Sequence, residues 1–142
     1  MRLALGGGRT NIPVSRGYYV EPTVFVDVTP EMRIAKEEIF GPVLSVLTFE
    51  AEDEAIQIAN NVMYGLAATV WTNDLRRAFR VAERLDAGII WTNCPHYLTV
   101  NVPYEGDKLW GLGEDLGVEA LNTLTHLKTH CINFCGSKFG WV

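Results

Sequence analysis

The sequence predicts an α/β fold in which a mostly parallel sheet is flanked by helices. Three features predict it: short strand-like segments of consecutive apolar residues, amphipathic helical segments, and the alternation of the two along the middle of the chain. Strands buried on both faces are apolar throughout, and a helix is the usual connection between parallel neighbours. With 142 residues, 48% of them apolar and 20% charged, the chain has the composition of one globular domain able to bury a core.

The first fifty residues contain two predicted strands and a short helix. Residues 18–28 have strand character, and Pro22 among them predicts an edge position or a break. The Thr-Pro-Glu stretch at 29–31 predicts a helix start, with a hydroxyl cap and a proline in the first turn. The Gly-Pro pair at 41–42 predicts its end, and residues 43–49 follow as a buried strand.

Two helices and two further strands are predicted next. Residues 52–61 have a broad apolar face and acidic residues in the first turn, which favours a helix. Residues 66–71 form an apolar strand, and the Thr-Asn-Asp stretch at 72–74 caps a second amphipathic helix. Gly88 closes that helix, and a third strand begins at 89.

A long loop follows the third strand and reaches Gly113. It is rich in Pro, Gly and Tyr and is too long for a plain connector. Ligand sites of parallel sheets form where the strands run into loops, so this loop is a candidate site. Residues 118–124 are predicted as a helix, and residues 127–134 as a final strand or arm.

Charge and hydropathy exclude two classes of function. The formal net charge is −5 and no Lys/Arg cluster is present, which argues against a nucleic-acid partner. The apolar runs are too short to span a bilayer. The odd cysteine count and the lack of a signal-peptide pattern indicate free thiols in a reducing compartment. We expect a cytoplasmic protein, or an organellar one if residues precede Met1.

A candidate ligand-binding pattern lies in the stretch AKEEIFGPV at 35–43. The carboxylate of Glu38 can accept hydrogen bonds from two vicinal hydroxyls of a ribose, and Phe40 can pack on a flat heterocycle. The Gly-Pro pair at 41–42 would hold both side chains at a fixed angle. The alternative is a helix C-terminus with a surface acid and a core Phe.

A second candidate is a metal site formed by His126, His130, Cys131 and Cys135. Two histidines and two thiols can supply four zinc ligands. The segment reads as extended, however, and residues at i and i+4 of a strand do not converge on one point. The sequence therefore predicts no metal site.

A third candidate is Cys94, which follows a predicted strand and could be a nucleophile. His96 is the only base near it in the sequence, and no charge is placed to stabilise a thiolate. We expect a structural, half-buried thiol and no catalytic residue in the chain.

Together these stretches resemble the C-terminal part of the aldehyde dehydrogenase family. The stretches that carry the resemblance are GGG at 6–8, GYYVEPTVFVDV at 17–28, AKEEIFGPVLSV at 35–46, ANNVMYGLAATVWTNDL at 59–75 and AGIIWTNC at 87–94. The WTNC stretch at 91–94 and the closing FGW at 139–141 look nearest to the betaine- and amino-aldehyde branch.

The resemblance implies roles for four residues. By position, the family's cofactor-ribose carboxylate falls on Glu38 and the aromatic beside the nicotinamide falls on Phe40. The loop after the third strand looks like the substrate-entrance loop, with Leu98 and Tyr104 near the aldehyde. The implied cofactor is NAD or NADP, bound through the complete parent fold, and the implied reaction is oxidation of a small aldehyde to a carboxylic acid.

The resemblance also implies an organisation. Residues 1–126 correspond to the C-terminal part of the catalytic domain, and residues 127–142 to a terminal arm whose strand adds to a neighbouring subunit. We therefore expect a homo- or hetero-oligomer. Without the rest of the fold, apolar strand edges and helix faces would be exposed, which predicts poor solubility or self-association.

The chain also departs from the family pattern. The Gly-Gln-x-Cys nucleophile motif, the Glu-Leu-Gly-Gly base motif and the Rossmann-type domain are not in these residues, so we expect the isolated chain to be inactive. The family's Pro-aromatic-Gly-Gly is Pro-Tyr-Glu-Gly at 103–106, and its Ser-Gly-x-Gly-Arg-Glu is Trp-Gly-Leu-Gly-Glu-Asp at 110–115. An alternative follows: a non-catalytic remnant that serves as a structural or oligomerisation module.

Overall fold

The computed structural model describes residues 1–9, 17–134 and 136. Within them lie nine strands and four helices. The strands are β1 (Arg2–Leu5), β2 (Thr23–Val26), β3 (Val43–Ser45), β4 (Tyr64–Gly65), β5 (Ala67–Val70), β6 (Ile89–Thr92), β7 (Tyr104–Glu105), β8 (Asp107–Lys108) and β9 (Glu114–Asp115). The helices are α1 (Arg33–Lys36), α2 (Glu52–Asn60), α3 (Leu75–Ala82) and α4 (Glu119–Leu124).

The first sheet contains three strands in the order β1-β2-β3. β2 is antiparallel to β1 and parallel to β3, with Thr23 opposite Val43. β2 begins directly after Pro22, so the predicted break falls at the start of the strand. Thr23 is buried, and its hydroxyl donates to Glu21 O at 2.8 Å while accepting from Gly7 N at 3.0 Å. These bonds satisfy the buried hydroxyl at the start of the central strand.

The second sheet pairs β5 with β6 in parallel register, from Ala67 opposite Ile89 to Val70 opposite Thr92. The predicted alternation of strands and helices is confirmed over β3, α2, β5, α3 and β6. In the described residues, however, β3 pairs with β2 and not with β5, so the parallel strands lie in two sheets. The predicted burial of these strands is wrong, because every residue of β3, β5 and β6 is half-buried or exposed, and β3 ends at Ser45 rather than at residue 49. Apolar runs also carry no information about which strand edges pair.

The first helix is shorter than predicted. The Thr29 hydroxyl does not cap it; instead Met32 N donates to Thr29 O at 3.1 Å and closes a turn before α1. α1 ends at Lys36, well before Gly41. A proline in a turn fixes its own φ but does not require the helix to begin there.

The cap of α3 is confirmed, since Asp74 accepts from Arg76 N and Arg77 N at 2.9 and 3.2 Å.

The long loop contains short strands that the sequence did not predict. β7 pairs with β9, and β8 pairs with β4, both antiparallel. α4 confirms the helix predicted at 118–124. Residues 125–134 are exposed and form no strand among the described residues, so the predicted strand at 127–134 is not formed within this chain. No helix in the described part is long and apolar enough to cross a membrane.

The apolar core is small. In the part of the chain that the structure describes, the buried apolar residues are Val28, Ile56 and Ala78. Large apolar side chains remain exposed, among them Trp71, Phe79 and Phe134 at 67%, 62% and 89%. The chain length predicted a larger core, but these side chains face solvent because no described element covers them. Such patches are sites for protein partners or self-association.

Candidate functional site

The predicted ribose carboxylate lies in a short connection between α1 and β3, which we call the acidic turn (residues 37–42). Its backbone is fixed by close local bonds: Gly41 N donates to Ile39 O, and Val43 N donates to Gly41 O, both at 2.8 Å. Thr23 N donates to Pro42 O at 2.8 Å and joins the turn to the first sheet. Each residue of the Gly-Pro pair thus takes part in a backbone hydrogen bond of the turn.

The two adjacent carboxylates of the acidic turn have different surroundings. Arg33 Nε lies 2.7 Å from both Glu37 oxygens, across one turn of helix. This hydrogen bond lowers the pKa of Glu37 and raises the pKa of Arg33. Glu38 is exposed and makes no hydrogen bond or ion pair with any residue the structure describes. The Glu38 carboxylate is free to bind a ligand, whereas Glu37 is engaged.

The exposure of Phe40 bears on the alternative interpretation of this stretch. Its side chain is 95% exposed, so Phe40 is not part of the core of this chain. Burying a Phe side chain contributes roughly 1.5–3 kcal/mol to the free energy of folding. Within this chain Phe40 makes no such contribution, because it is exposed. An exposed aromatic ring on a fixed turn is a surface on which a flat heterocycle can pack.

A surface groove of about 460 Å³ borders Glu38. Its lining residues are Met1, Met32, Arg33, Ile34, Glu37, Glu38 and Ile39. Apolar side chains form most of the wall, with the two carboxylates and one guanidinium at the polar side. Glu38 is therefore an exposed residue that lines an open groove, whereas Phe40 is not among the lining residues.

Leu98 belongs to the loop of residues 94–113, which we call the entrance loop. Its side chain lines a second groove, of about 360 Å³. β6 forms one wall of this groove, and residues 97–99 with Val102 and Pro103 form the other. Trp91 Nε1 donates to Tyr97 O at 2.8 Å and holds the loop over the strand. The groove is predominantly apolar, so it suits the carbon chain of a small molecule.

Tyr104 is half-buried in β7, opposite Asp115 of β9. It lies next to Pro103 but is not among the residues that line the Leu98 groove. The next pair in the same register places Glu105 opposite Glu114. The two acidic departures from the family pattern therefore meet across strands. Burial, followed by the Glu105 charge, raises the pKa of Glu114.

The structure does not bring together the other candidate residues. Cys94 is exposed, so the expectation of a half-buried thiol is wrong; Asn93 before it has φ +56° and turns the chain out of the sheet. His96 contacts the Trp91 ring edge-on, with centroids 5.6 Å apart. The described residues contain no cluster of three or more metal-ligating side chains, and Cys135, one of the four candidate zinc ligands, lies outside them.

Comparison with known proteins identifies the family. The sequence profile described as "Aldehyde dehydrogenase family" matches residues 1–130. The chain belongs to the aldehyde dehydrogenase family. It is 50% identical to the betaine aldehyde dehydrogenase of Rhizobium etli over 127 residues, 89% of this chain and 26% of that protein. It is 49% identical to aldehyde dehydrogenase 1A1 of Rattus norvegicus over 128 residues, 90% of this chain and 25% of that protein.

A solved structure from the family matches the fold as well. The indole-3-acetaldehyde dehydrogenase AldA of P. syringae, solved with NAD+ and IAA, has a TM-score of 0.84 and 49% identity to this chain. The match covers 89% of this chain and 26% of that one. This chain thus spans about a quarter of the length of the aldehyde dehydrogenases that it matches.

Two polar residues of this member of the aldehyde dehydrogenase family were not singled out from the sequence. Asn93 Nδ2 donates to Thr72 O at 2.8 Å, and its Oδ1 accepts from Thr72 N at 2.9 Å. Lys108 contacts three acceptors at the ends of α2 and α3. Asn93 could have been identified from the sequence, because Asn tolerates a positive φ and therefore often marks a sharp turn at the end of a strand. Nothing in the sequence around Lys108 indicates its partners, which are more than 20 residues away.

Proposed function

We propose that this chain forms the part of an NAD(P)-dependent aldehyde dehydrogenase that contacts the nicotinamide ribose and one wall of the aldehyde site. Glu38 accepts hydrogen bonds from the two ribose hydroxyls, and Phe40 packs beside the nicotinamide ring. One observation carries the proposal: Glu38 has no partner among the described residues, while its neighbour Glu37 is held by Arg33. The exposed ring of Phe40 on the same fixed turn supports it.

The chemistry divides between the cofactor and the protein. When bound, the dinucleotide supplies the hydride acceptor for oxidation of an aldehyde to an acid. Glu38 and Phe40 bind and orient the nicotinamide half, which places reacting groups at the distance that transfer requires. Leu98 and Tyr104 exclude water from one side of the aldehyde. The match to a structure solved with NAD+ supports this cofactor class.

The cofactor proposal is tested by NAD+ binding to the purified 142-residue chain, measured by titration calorimetry. Glu38→Gln removes the acceptor charge and Phe40→Ala removes the ring, and each is expected to weaken binding about 10-fold. Glu37→Gln is the matched control and is expected to leave affinity unchanged to within about twofold. Equal losses in Glu37→Gln and Glu38→Gln would contradict the assignment.

The reaction proposal has a separate test. The nucleophile and base motifs of the family do not occur in these residues. We therefore expect no aldehyde-dependent formation of NADH by the purified chain, followed at 340 nm with several small aldehydes. NADH formation that persists after removal of trace contaminating enzyme would contradict this expectation.

A second candidate function is a non-catalytic module that docks on another aldehyde dehydrogenase chain. Its support is the exposed apolar surface and residues 125–134, which are exposed and outside any strand. In this proposal residues 1–126 are the catalytic-domain part, and residues 127–142 are an arm that adds a strand to a neighbouring subunit in the cytoplasm.

Native mass spectrometry separates the two candidates. The docking proposal predicts a mixed complex of this chain with a full-length aldehyde dehydrogenase, lost when the chain is cut after residue 126. A chain that binds NAD+ but forms neither mixed nor homo-oligomeric complexes would contradict docking and leave the cofactor role in place.

A further inference from the structure

A polar cluster around Lys108 lies outside the site described above. Lys108 Nζ donates to Asn60 O at 2.8 Å and to Val62 O at 3.1 Å, and lies 3.3 Å from Asp86 Oδ2. An ammonium group has three donors, and here two hydrogen bonds to carbonyl oxygens and one ion pair with Asp86 engage it. The Lys108 side chain is 23% exposed. The cluster is partly shielded from water, which strengthens its hydrogen bonds.

The acceptors of Lys108 come from two helix ends. Asn60 is the last residue of α2, and Val62 lies two residues beyond it. Carbonyls at a helix C-terminus lack partners in the helix and carry partial negative charge, so a cation there is stabilising. The Asn60 side chain joins α2 to the segment after α3, because its Nδ2 donates to Arg84 O at 2.7 Å and its Oδ1 accepts from Asp86 N at 3.0 Å.

Backbone contacts also hold the carboxyl-terminal part of the entrance loop, which contains Lys108, against the strands. Lys108 in β8 pairs with Tyr64 in β4, and it has φ +55°, an uncommon conformation for a long side chain. A Cβ added to Gly88, at the start of β6, would lie 1.8 Å from Glu105 O. The loop backbone therefore lies directly against the amino-terminal end of β6.

The other end of the entrance loop is held at the opposite end of β6. There the Trp91 indole donates to Tyr97 O, near the carboxyl end of the strand. The groove that contains Leu98 lies between these two points of attachment. The separation of the loop from β6, and with it the width of the groove, depends on both.

We propose that Lys108 is a positioning residue for the aldehyde site: it holds the entrance loop at the spacing from β6 that admits a small aliphatic chain beside Leu98. The assignment of the groove to the aldehyde rests on the proposed function. The contacts of Lys108 do not depend on Glu38 or Phe40, so the two proposals fail independently.

Hydrogen exchange of the 142-residue chain tests the positioning role. Lys108→Met keeps the length of the side chain and removes its three donors. We expect exchange of the amides of residues 97–111 to accelerate about 10-fold, with the amides of α3 unchanged, because the opening is local. Lys108→Arg retains the charge and several donors and is expected to restore most of the protection.

Binding of hexanamide, a neutral analogue of an aliphatic aldehyde, supplies a readout that a purely structural role would not move. The chain is labelled with 5-fluorotryptophan, and the Trp91 resonance is followed by fluorine NMR while hexanamide is added. We expect Lys108→Met to weaken binding about 10-fold and Lys108→Arg to recover it, since loop spacing sets the fit.

Three outcomes would overturn the proposal: acceleration of exchange equal in α3 and in the loop, hexanamide affinity that is the same in Lys108→Met and the original chain, or no effect of hexanamide on Trp91. No NAD+ is present in either experiment. A failure here therefore leaves the cofactor assignment of Glu38 untouched, and the converse also holds.

Discussion

The acidic turn and the entrance loop distribute their contacts in opposite ways. In the acidic turn the backbone is fixed by local bonds and by Thr23, while the side chains of Glu38 and Phe40 contact nothing described that would hold them. In the entrance loop the Lys108 side chain has three partners, and the backbone touches Gly88. Free side chains on a fixed backbone are available to a ligand, whereas engaged side chains set the shape of a neighbouring groove.

The largest expected effect of this difference is on glycine substitution. Gly88→Ala places a Cβ 1.8 Å from Glu105 O, so backbone must move. Overpacking of this kind costs about 3 kcal/mol, enough to separate the entrance loop from β6. Gly41 in the acidic turn has no atom within 4 Å of an added Cβ, and Gly41→Ala is the matched control. The free energy of unfolding in urea measures both.

The comparison fails if the two alanine variants unfold at the same urea concentration. A loss confined to Gly41→Ala would be more damaging still, since it would mean that the acidic turn and not the entrance loop is the closely packed region.

A smaller effect is expected at Asn93, which joins the carboxyl ends of β5 and β6. Asn93→Ala removes both hydrogen bonds to Thr72 and places a residue with a Cβ at φ +56°. We expect a loss of about 1–2 kcal/mol of unfolding free energy. Asn93→Gly keeps the backbone conformation and removes only the bonds, so its loss in thermal or urea unfolding is expected to be smaller. A larger loss in the glycine variant would contradict this account of Asn93.

The smallest effect concerns the pH dependence of the β7–β9 pair. The pKa of Glu114 is raised first by burial and then by Glu105 opposite it, with Glu119 a minor cause. A raised folded-state pKa means that the associated stability is present below the unfolded pKa and is lost as pH rises through the folded pKa. We expect the protection of amides 104–115, measured relative to their intrinsic exchange rates, to fall over that range in the original chain and not in Glu114→Gln. The same loss of protection in the glutamine variant would exclude Glu114 as its source.

Much of the fold was predictable because local patterns specify local elements. The apolar runs and helical spacing of residues 52–92 predicted α2, β5, α3 and β6 close to their observed bounds. The Asp74 cap was predictable for the same reason, since its acceptors and donors are neighbours in sequence. The pairing of β3 with β2 and the short strands of the entrance loop depend on contacts between distant segments. Sequence spacing does not encode these.

The candidate site, too, has features that local sequence patterns predict and features that depend on contacts between distant segments. The pattern Glu-Glu-Ile-Phe-Gly-Pro indicated Glu38 and Phe40, and i, i+4 spacing could have indicated that Arg33 engages Glu37. The exposure of Phe40 could not be predicted, because an aromatic residue beside a strand is equally compatible with a core position. The role of Lys108 depends on carbonyls of residues 60 and 62, which come close to it only in the folded chain.

The claim that Glu38 binds ribose hydroxyls is tested most directly by changing the ligand and the protein together. The affinity for nicotinamide riboside is compared with the affinity for its 2′,3′-dideoxy analogue. Both affinities are measured for the original chain and for Glu38→Gln by ligand-detected proton NMR. The account predicts that the original chain prefers the hydroxylated ligand about 10-fold and that Glu38→Gln loses most of this preference. Equal affinity of the original chain for both ligands, or a preference that survives in Glu38→Gln, would contradict it.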